Sequence, residues 1–168
     1  MTGIILMVAL APVAEPGPGA GKPCPALPAH LVKKDESADL LAGRKEAPSV
    51  VVLVRAEKFD RPLARVLREL DRESFRVNPD ARVLMVFLAG DRKMWRERLV
   101  LVDKSLQLDN TILGVTDEEK LMSDWGASVD HAATVVVVSQ GKVIKGFGFT
   151  SGADGESAGV LKAIPKAK

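Results

Sequence analysis

The chain has 168 residues, of which 46% are hydrophobic and 27% are charged, and its formal net charge is +2. This length suits one domain with an extra segment, and the near-neutral charge argues against binding to nucleic acid or to an anionic membrane. Aromatic residues make up only 4%, so a base-stacking surface is not expected either. The single Cys and the two distant His lack the spacing of a zinc site, so neither an internal disulfide, nor a metal, nor a cofactor is expected.

Residues 1–14 contain an apolar run at 4–11 (IILMVALA) with the length of the hydrophobic region of a signal peptide. It is too short to span a membrane, which takes about 20 apolar residues. A secretory signal is favoured, which predicts the periplasm or cell envelope, with no integral membrane segment after processing. No Lys or Arg precedes the run and its cleavage positions are imperfect. An uncleaved tail, an anchor and a cytoplasmic location therefore stay open as alternatives.

Residues 15–32 form a second unit, in which 15–28 (EPGPGAGKPCPALP) are dense in Pro and Gly. Such density opposes helix and strand, so a flexible, partly extended linker is predicted. Cys24 lies here between two prolines, with only Lys22 nearby to lower its pKa. An exposed, unreactive thiol is expected, and a catalytic role for Cys24 is kept as the alternative.

The folded domain is predicted over 33–168 and begins with a helix at 33–45. Two runs, 49–54 (SVVVLV) and 83–88 (VLMVFL), are apolar at nearly every position, which is typical of strands covered on both faces. Asp60 is predicted to cap the helix between them. The apolar positions of that helix recur every three or four residues, at Leu63, Val66, Leu67 and Leu70.

Further helix signals follow the second strand. Asp91 is predicted to cap a helix that carries Trp95 and Leu99 on its apolar side. A short strand over 110–115 comes next. The pattern Thr-Asp-Glu-Glu at 116–119 then indicates a capping box at the start of a third helix.

The end of the chain predicts a β-hairpin and a last helix. A β-branched run at 134–138, a turn at 139–142 and a second apolar run at 143–147 form the hairpin pattern. Small residues at 146 and 148 are expected to permit close packing. The last helix is predicted over 158–164.

Together these elements predict an α/β fold, with a mixed sheet of about four to five strands and helices on both faces. The order of helix, buried strand, Gly turn, strand and helix resembles the thioredoxin-like superfamily. The resemblance covers about 47–164 and is nearer to the redoxin, or thiol–disulfide oxidoreductase, branch because of the insertion between 83 and 115. It implies a three-layer sandwich.

The resemblance also implies where a redox site lies. In thioredoxin-like proteins the first central strand leads to Cys-x-x-Cys at a helix start, where the helix N-terminus lowers the thiol pKa. Here those positions fall near Phe59 and Pro62, and neither side chain forms a thiolate. The cis-proline of redoxins falls at about Ala132, or at His131, where a trans bond is expected.

The loss of both features predicts a redox-inactive module that binds a protein or peptide at the former active-site edge and along the sheet edge. The predicted binding surface consists of Lys58, Phe59, Asp60, Arg61, Pro62, Asp130, His131 and Ala132. One alternative is a one-cysteine thiol oxidoreductase or peroxidase-like protein that uses Cys24. Another is a structural subunit of an envelope assembly.

Overall fold

A central β-sheet with helices on both faces organises residues 15–151 and 156–167, the part of the chain described by this computed structural model. The strands are β1 (Pro28–Leu31), β2 (Ser37–Asp39), β3 (Ser49–Arg55), β4 (Arg82–Leu88), β5 (Thr111–Thr116), β6 (Ala133–Ser139) and β7 (Lys142–Phe149). The α-helices are α1 (Arg61–Val77), α2 (Arg92–Leu106), α3 (Glu119–Asp124) and α4 (Glu156–Ala163), and a single 3-10 turn covers Ala56–Lys58. The predicted signal peptide at 1–14 lies outside the described residues.

The sheet is mixed, with the strand order β2-β1-β5-β4-β3-β6-β7. Strands β3, β4 and β5 are parallel, and β6 runs antiparallel to β3. Val54 at the end of β3 therefore pairs with Ala133 at the start of β6, and Ser49 pairs with Val138 near its end. The loop after β3 and the segment before β6 consequently meet at one end of the sheet. The β6–β7 turn lies at the opposite end, about 20 Å away along strands of this length.

Two hydrophobic cores separate the sheet from its outer layers. Helices α1, α2 and α4 cover one face, with Leu67, Leu99 and Val160 buried there. Helix α3 covers the other face, where Leu27 and Trp125 are fully buried. The predicted α/β three-layer sandwich is thus confirmed, although the sheet has seven strands rather than four to five.

Two helix caps and the hairpin turn match the sequence prediction. The Asp60 carboxylate accepts a hydrogen bond of 2.9 Å from the Leu63 amide, and Asp91 caps α2 in the same way. In the hairpin turn both Gln140 (φ 53°) and Gly141 (φ 69°) have left-handed backbones. Two such residues match the twist of the flanking strands, which is why this turn joins β6 to β7.

The helix predicted over 33–45 is wrong, because this region forms β2 and a turn. Strand β2 pairs with β1, and the Asp39 carboxylate accepts hydrogen bonds from the Leu27 and Leu41 amides. Leu40 and Leu41 are then buried in the second core. Tertiary pairing and burial outweigh helix propensity here, since propensity differences are small for each residue.

The predicted capping box is also wrong, because β5 continues to Thr116. Thr116 pairs with Leu88 of β4, and its hydroxyl accepts a hydrogen bond of 3.1 Å from the Glu118 amide. Helix α3 begins only at Glu119, and its N-cap Glu118 makes no side-chain capping bond. The Glu119 carboxylate instead pairs with Arg55.

The Pro- and Gly-rich segment lies along the hairpin. The Gly21 amide donates to the Val143 carbonyl at 2.8 Å, and the Val143 amide donates to the Lys22 carbonyl at 2.9 Å. Strand β1 corrects the linker prediction at 28–31. The wider division of the chain at residues 14 and 32 stays a prediction. Within the described ranges no helix has both the length and the apolar character needed to cross a membrane.

Candidate functional site

The two halves of the predicted binding surface meet at the carboxyl end of β3. The Arg55 amide donates to the Ala132 carbonyl at 3.0 Å, and the Ala132 amide donates to Phe149 of β7 at 2.7 Å. The Lys58 ammonium group donates to the Val129 carbonyl and joins the two loops directly. Ala132 is buried and contributes through its backbone, and Asp130 beside it is exposed.

The two cysteine-equivalent positions differ in their surroundings. Phe59 is half-buried, and its ring packs edge-on against Phe87 at a centroid distance of 5.2 Å. Pro62 is exposed in the first turn of α1. The position where the resemblance predicts the nucleophile is therefore a partly buried aromatic residue that packs against the core. Asp60 and Arg61 lie between them and are exposed.

Arg55 is a further residue of this site that the sequence analysis missed. Its side chain is only 10% exposed and donates to the Glu119 carboxylate at 2.9 Å and to the Ser128 carbonyl at 3.4 Å. It therefore links β3 to α3 and to the loop before β6. The signal for it is a charged residue that ends an otherwise apolar strand.

His131 packs flat against the hairpin. A Cβ atom at Gly148 would lie 2.1 Å from the His131 Cε1 atom, so glycine at this position allows the imidazole to lie there. The close packing expected from the glycines of β7 is confirmed. Within the described residues the buried Nδ1 atom of His131 and the hydroxyl of Thr134 have no hydrogen-bond partner. The peptide bonds of the described residues are all trans, including those at His131 and Ala132.

Cys24 lies at the opposite end of the sheet. Its amide donates to the Gly141 carbonyl of the hairpin turn at 2.9 Å, and a cavity of about 310 Å³ adjoins it. The residue is half-buried rather than exposed, and burial raises the pKa of its thiol above the ordinary value. A raised pKa lowers the thiolate fraction at neutral pH, which is the reverse of what a nucleophilic cysteine needs.

The described residues contain no group of three or more His, Cys, Asp or Glu side chains that could hold a metal ion. The candidate surface consists of two connected loops above the buried Arg55, and its exposed groups offer hydrogen bonding and charge pairing.

Comparison with known proteins gives matches in structure only. Neither a family model nor a curated protein matches this chain. The thiol peroxidase from Chromobacterium violaceum is similar, with a TM-score of 0.69, 14% identity, and coverage of 93% of this chain and 91% of its own. A DsbF homologue from Corynebacterium diphtheriae has a TM-score of 0.63 and 13% identity, over 96% of this chain and 98% of its own. The pneumococcal exposed lipoprotein thioredoxin from Streptococcus pneumoniae has a TM-score of 0.59 and 18% identity, over 82% of this chain and 98% of its own.

These likenesses show that the protein has the thioredoxin-like fold, so the resemblance found in the sequence is confirmed at the level of the fold. Within that fold this chain has a single cysteine, Cys24, and therefore no Cys-x-x-Cys pair.

Proposed function

We propose that this protein is a redox-inactive thioredoxin-like module that binds a protein or peptide partner in the cell envelope. Its contact surface consists of residues 58–62 and 129–132. The observation that carries the proposal is the pairing of these two loops through the Lys58 ammonium group and the Val129 carbonyl. Phe59, near which the resemblance places the first cysteine of the fold, packs against Phe87.

The position of Cys24 supports a binding role over a one-cysteine oxidoreductase. That alternative requires the thiol either to lie at the N-terminus of α1 or to pair with a thiol of a partner, and the first route is opposed because Cys24 is hydrogen-bonded to Gly141 at the other end of the sheet. Burial also raises the pKa of the thiol. Both facts oppose a nucleophilic Cys24 beside Asp60.

The composition of the surface supports peptide binding. Val129 is 63% exposed, its carbonyl accepts a hydrogen bond from Lys58, and the next residue, Asp130, is charged and exposed. The surface therefore offers a peptide partner an apolar contact beside hydrogen-bonding and charged groups, as protein interfaces do. An envelope location is supported by the apolar run at 4–11 and by the fold neighbour whose name describes an exposed lipoprotein.

The first test is for turnover. The full chain and its Cys24→Ser variant are assayed for insulin disulfide reduction and for hydrogen peroxide consumption, with dithiothreitol as reductant. Both proteins are expected to be equally inactive. Activity in the wild type that is lost in Cys24→Ser would overturn the proposal in favour of the one-cysteine enzyme.

The second test is for binding. The full chain is used to select from a displayed library of random peptides, and enriched peptides are expected. Their affinity should fall in Lys58→Glu and Val129→Glu, because both changes alter the contact surface. The control variant Gln140→Glu, at the opposite end of the sheet, should bind like the wild type. Failure to enrich any peptide, or equal loss in the control, would overturn the proposal.

A further inference from the structure

A groove of about 510 Å³ runs between α1 and α2 and begins at the contact surface. It has an apolar floor that includes Phe59, Leu101 and Leu106. Leu101 is 66% exposed, the largest exposed fraction among the exposed large hydrophobic side chains of the described residues. A concave apolar floor next to a binding surface is suited to an apolar side chain of a ligand.

Four arginines surround this floor, three from α1 and one from α2. They are Arg61, Arg65, Arg68 and Arg98. No Asp or Glu lines the groove, and within the described residues none of the four guanidinium groups has a carboxylate within 4.0 Å. The rim therefore concentrates four positive charges, none of them in a close ion pair, in a chain whose net charge is only +2.

The contacts these arginines do make leave them available to a ligand. Arg68 donates to the Gln107 side chain at 3.4 Å, and the Arg98 guanidinium lies 4.5 Å from the centre of the Trp95 ring. Arg61 and Arg65 are exposed and one helical turn apart. Guanidinium groups pair bidentately with carboxylates, so this rim is suited to several carboxylates at helical or extended spacing.

We propose that the α1–α2 groove binds an acidic amphipathic segment of the partner, with an apolar side chain on the floor and carboxylates on the arginine rim. This inference rests on the proposed function, because it gives the partner's chemistry. A second copy of the same face is disfavoured by like charge. A flat lipid surface is disfavoured because the floor lies in a concave groove between two helices.

The test uses the full chain and random displayed 16-residue peptides at 0.15 M salt. Enriched peptides are expected to be net negative and to carry apolar residues three or four positions apart. A synthetic peptide of the enriched consensus is then titrated by fluorescence anisotropy. Its affinity is expected to fall about tenfold or more in Arg65→Glu/Arg98→Glu, since each change replaces attraction by repulsion. Leu101→Asp should also weaken binding of the peptide, because it places a charge on the apolar floor of the groove.

A matched control carries the same change in net charge. Arg72→Glu/Lys104→Glu reverses two exposed cations on the same two helices, outside the groove. Its affinity for the peptide is expected to stay within about threefold of the wild type, because these cations are exposed, lie outside the groove lining and act on the peptide only through solvent that salt screens. An equal loss in both double variants would overturn the inference, because the effect would then be one of net charge alone.

Other outcomes separate this inference from the proposed function. If neutral or basic peptides are enriched and their binding depends on Lys58 and Val129 but not on Arg65 and Arg98, the groove inference is wrong and the binding function stands. If no peptide binds, both are wrong. Two further outcomes would also overturn the groove inference. One is tighter binding to phosphatidylglycerol vesicles than to any peptide, and the other is a dimer detected by light scattering, if either is lost in Arg65→Glu/Arg98→Glu.

Discussion

The buried carboxylate of Asp71 accepts a hydrogen bond of 2.6 Å from the hydroxyl of Thr111, the first residue of β5. It also accepts from the amides of Asp109 and Asn110, at 3.2 Å and 2.9 Å. Asp71 therefore joins the middle of α1 to the loop that follows α2. A buried carboxylate is costly unless it is hydrogen-bonded, and here three donors compensate its burial.

Removing this carboxylate is expected to destabilise the protein strongly. Asp71→Ala leaves three donors without their partner, so the free energy of unfolding should fall by about 2–4 kcal/mol. Thr111→Val removes one donor and should cost about 1 kcal/mol. Glu97→Ala, an exposed change on α2, should stay within about 0.5 kcal/mol of the wild type. Urea-induced unfolding measures the free energy of unfolding of all three variants. If Asp71→Ala loses less of this free energy than Thr111→Val does, the assigned role of Asp71 is wrong.

Cys24 is expected to react slowly in the native state. Because burial raises the pKa of the thiol, native protein at pH 8 should be alkylated by iodoacetamide more slowly than urea-unfolded protein. Burial disfavours the thiolate in the folded state, so the free energy of unfolding is highest below the thiol's unfolded pKa and falls as pH rises through the folded pKa. Alkylation rates of the native and unfolded protein, measured across pH 7–10, check the expected difference in reactivity. Faster alkylation of the native form at pH 7 would contradict it and favour an activated cysteine.

Gly146 is expected to hold the Pro- and Gly-rich segment in place. A Cβ atom at this position would lie 1.5 Å from the Pro16 carbonyl oxygen, so Gly146→Ala must displace the segment. The amides of Gly21 and Cys24, which bond to the hairpin, should then exchange with deuterium faster by about tenfold or more. Gly90→Ala adds a methyl group where nothing lies within 4 Å and serves as the control. Unchanged exchange in Gly146→Ala would show that the contact is dispensable.

The central part of the fold follows from local sequence patterns. Apolar strands such as 49–54, the aspartate cap at Asp60 and the Gln140–Gly141 turn each have a local physical cause, and the structure contains all of them. Strands β1 and β2 have no such local signal. They are short and form because Leu27 and Leu40 need burial against the sheet, which is a property of the tertiary structure.

The candidate site was predictable only in part. The thioredoxin-like resemblance brings residues 58–62 and 130–132 to one end of the sheet, as the strand register requires. It gives no indication that Arg55 would be buried beneath them, or that Arg65 and Arg98 would border one groove. Those contacts depend on which face each helix presents and on how far apart the two helices lie. The spacing of residues along a single helix does not determine either quantity.

The imidazole of His131 packs on Gly148, and a side chain at this glycine is expected to displace it. Gly148→Ala places a methyl group 2.1 Å from the imidazole Cε1 atom, so the ring must move. Accommodating the extra methyl group should cost about 1–3 kcal/mol of stability.

The chain has only two histidines, His30 and His131, so the Cε1–H signals are readily assigned in a proton–carbon NMR spectrum. The His131 signal should shift and the His30 signal should not, because His30 lies on β1 and bonds to Asp35 in the connection between β1 and β2. Gly90→Ala again provides the control, and an unmoved His131 signal in Gly148→Ala would show that the imidazole does not lie against β7. If the signal moves and affinity for the selected peptides falls with it, the imidazole contributes to the contact surface through its position on the hairpin.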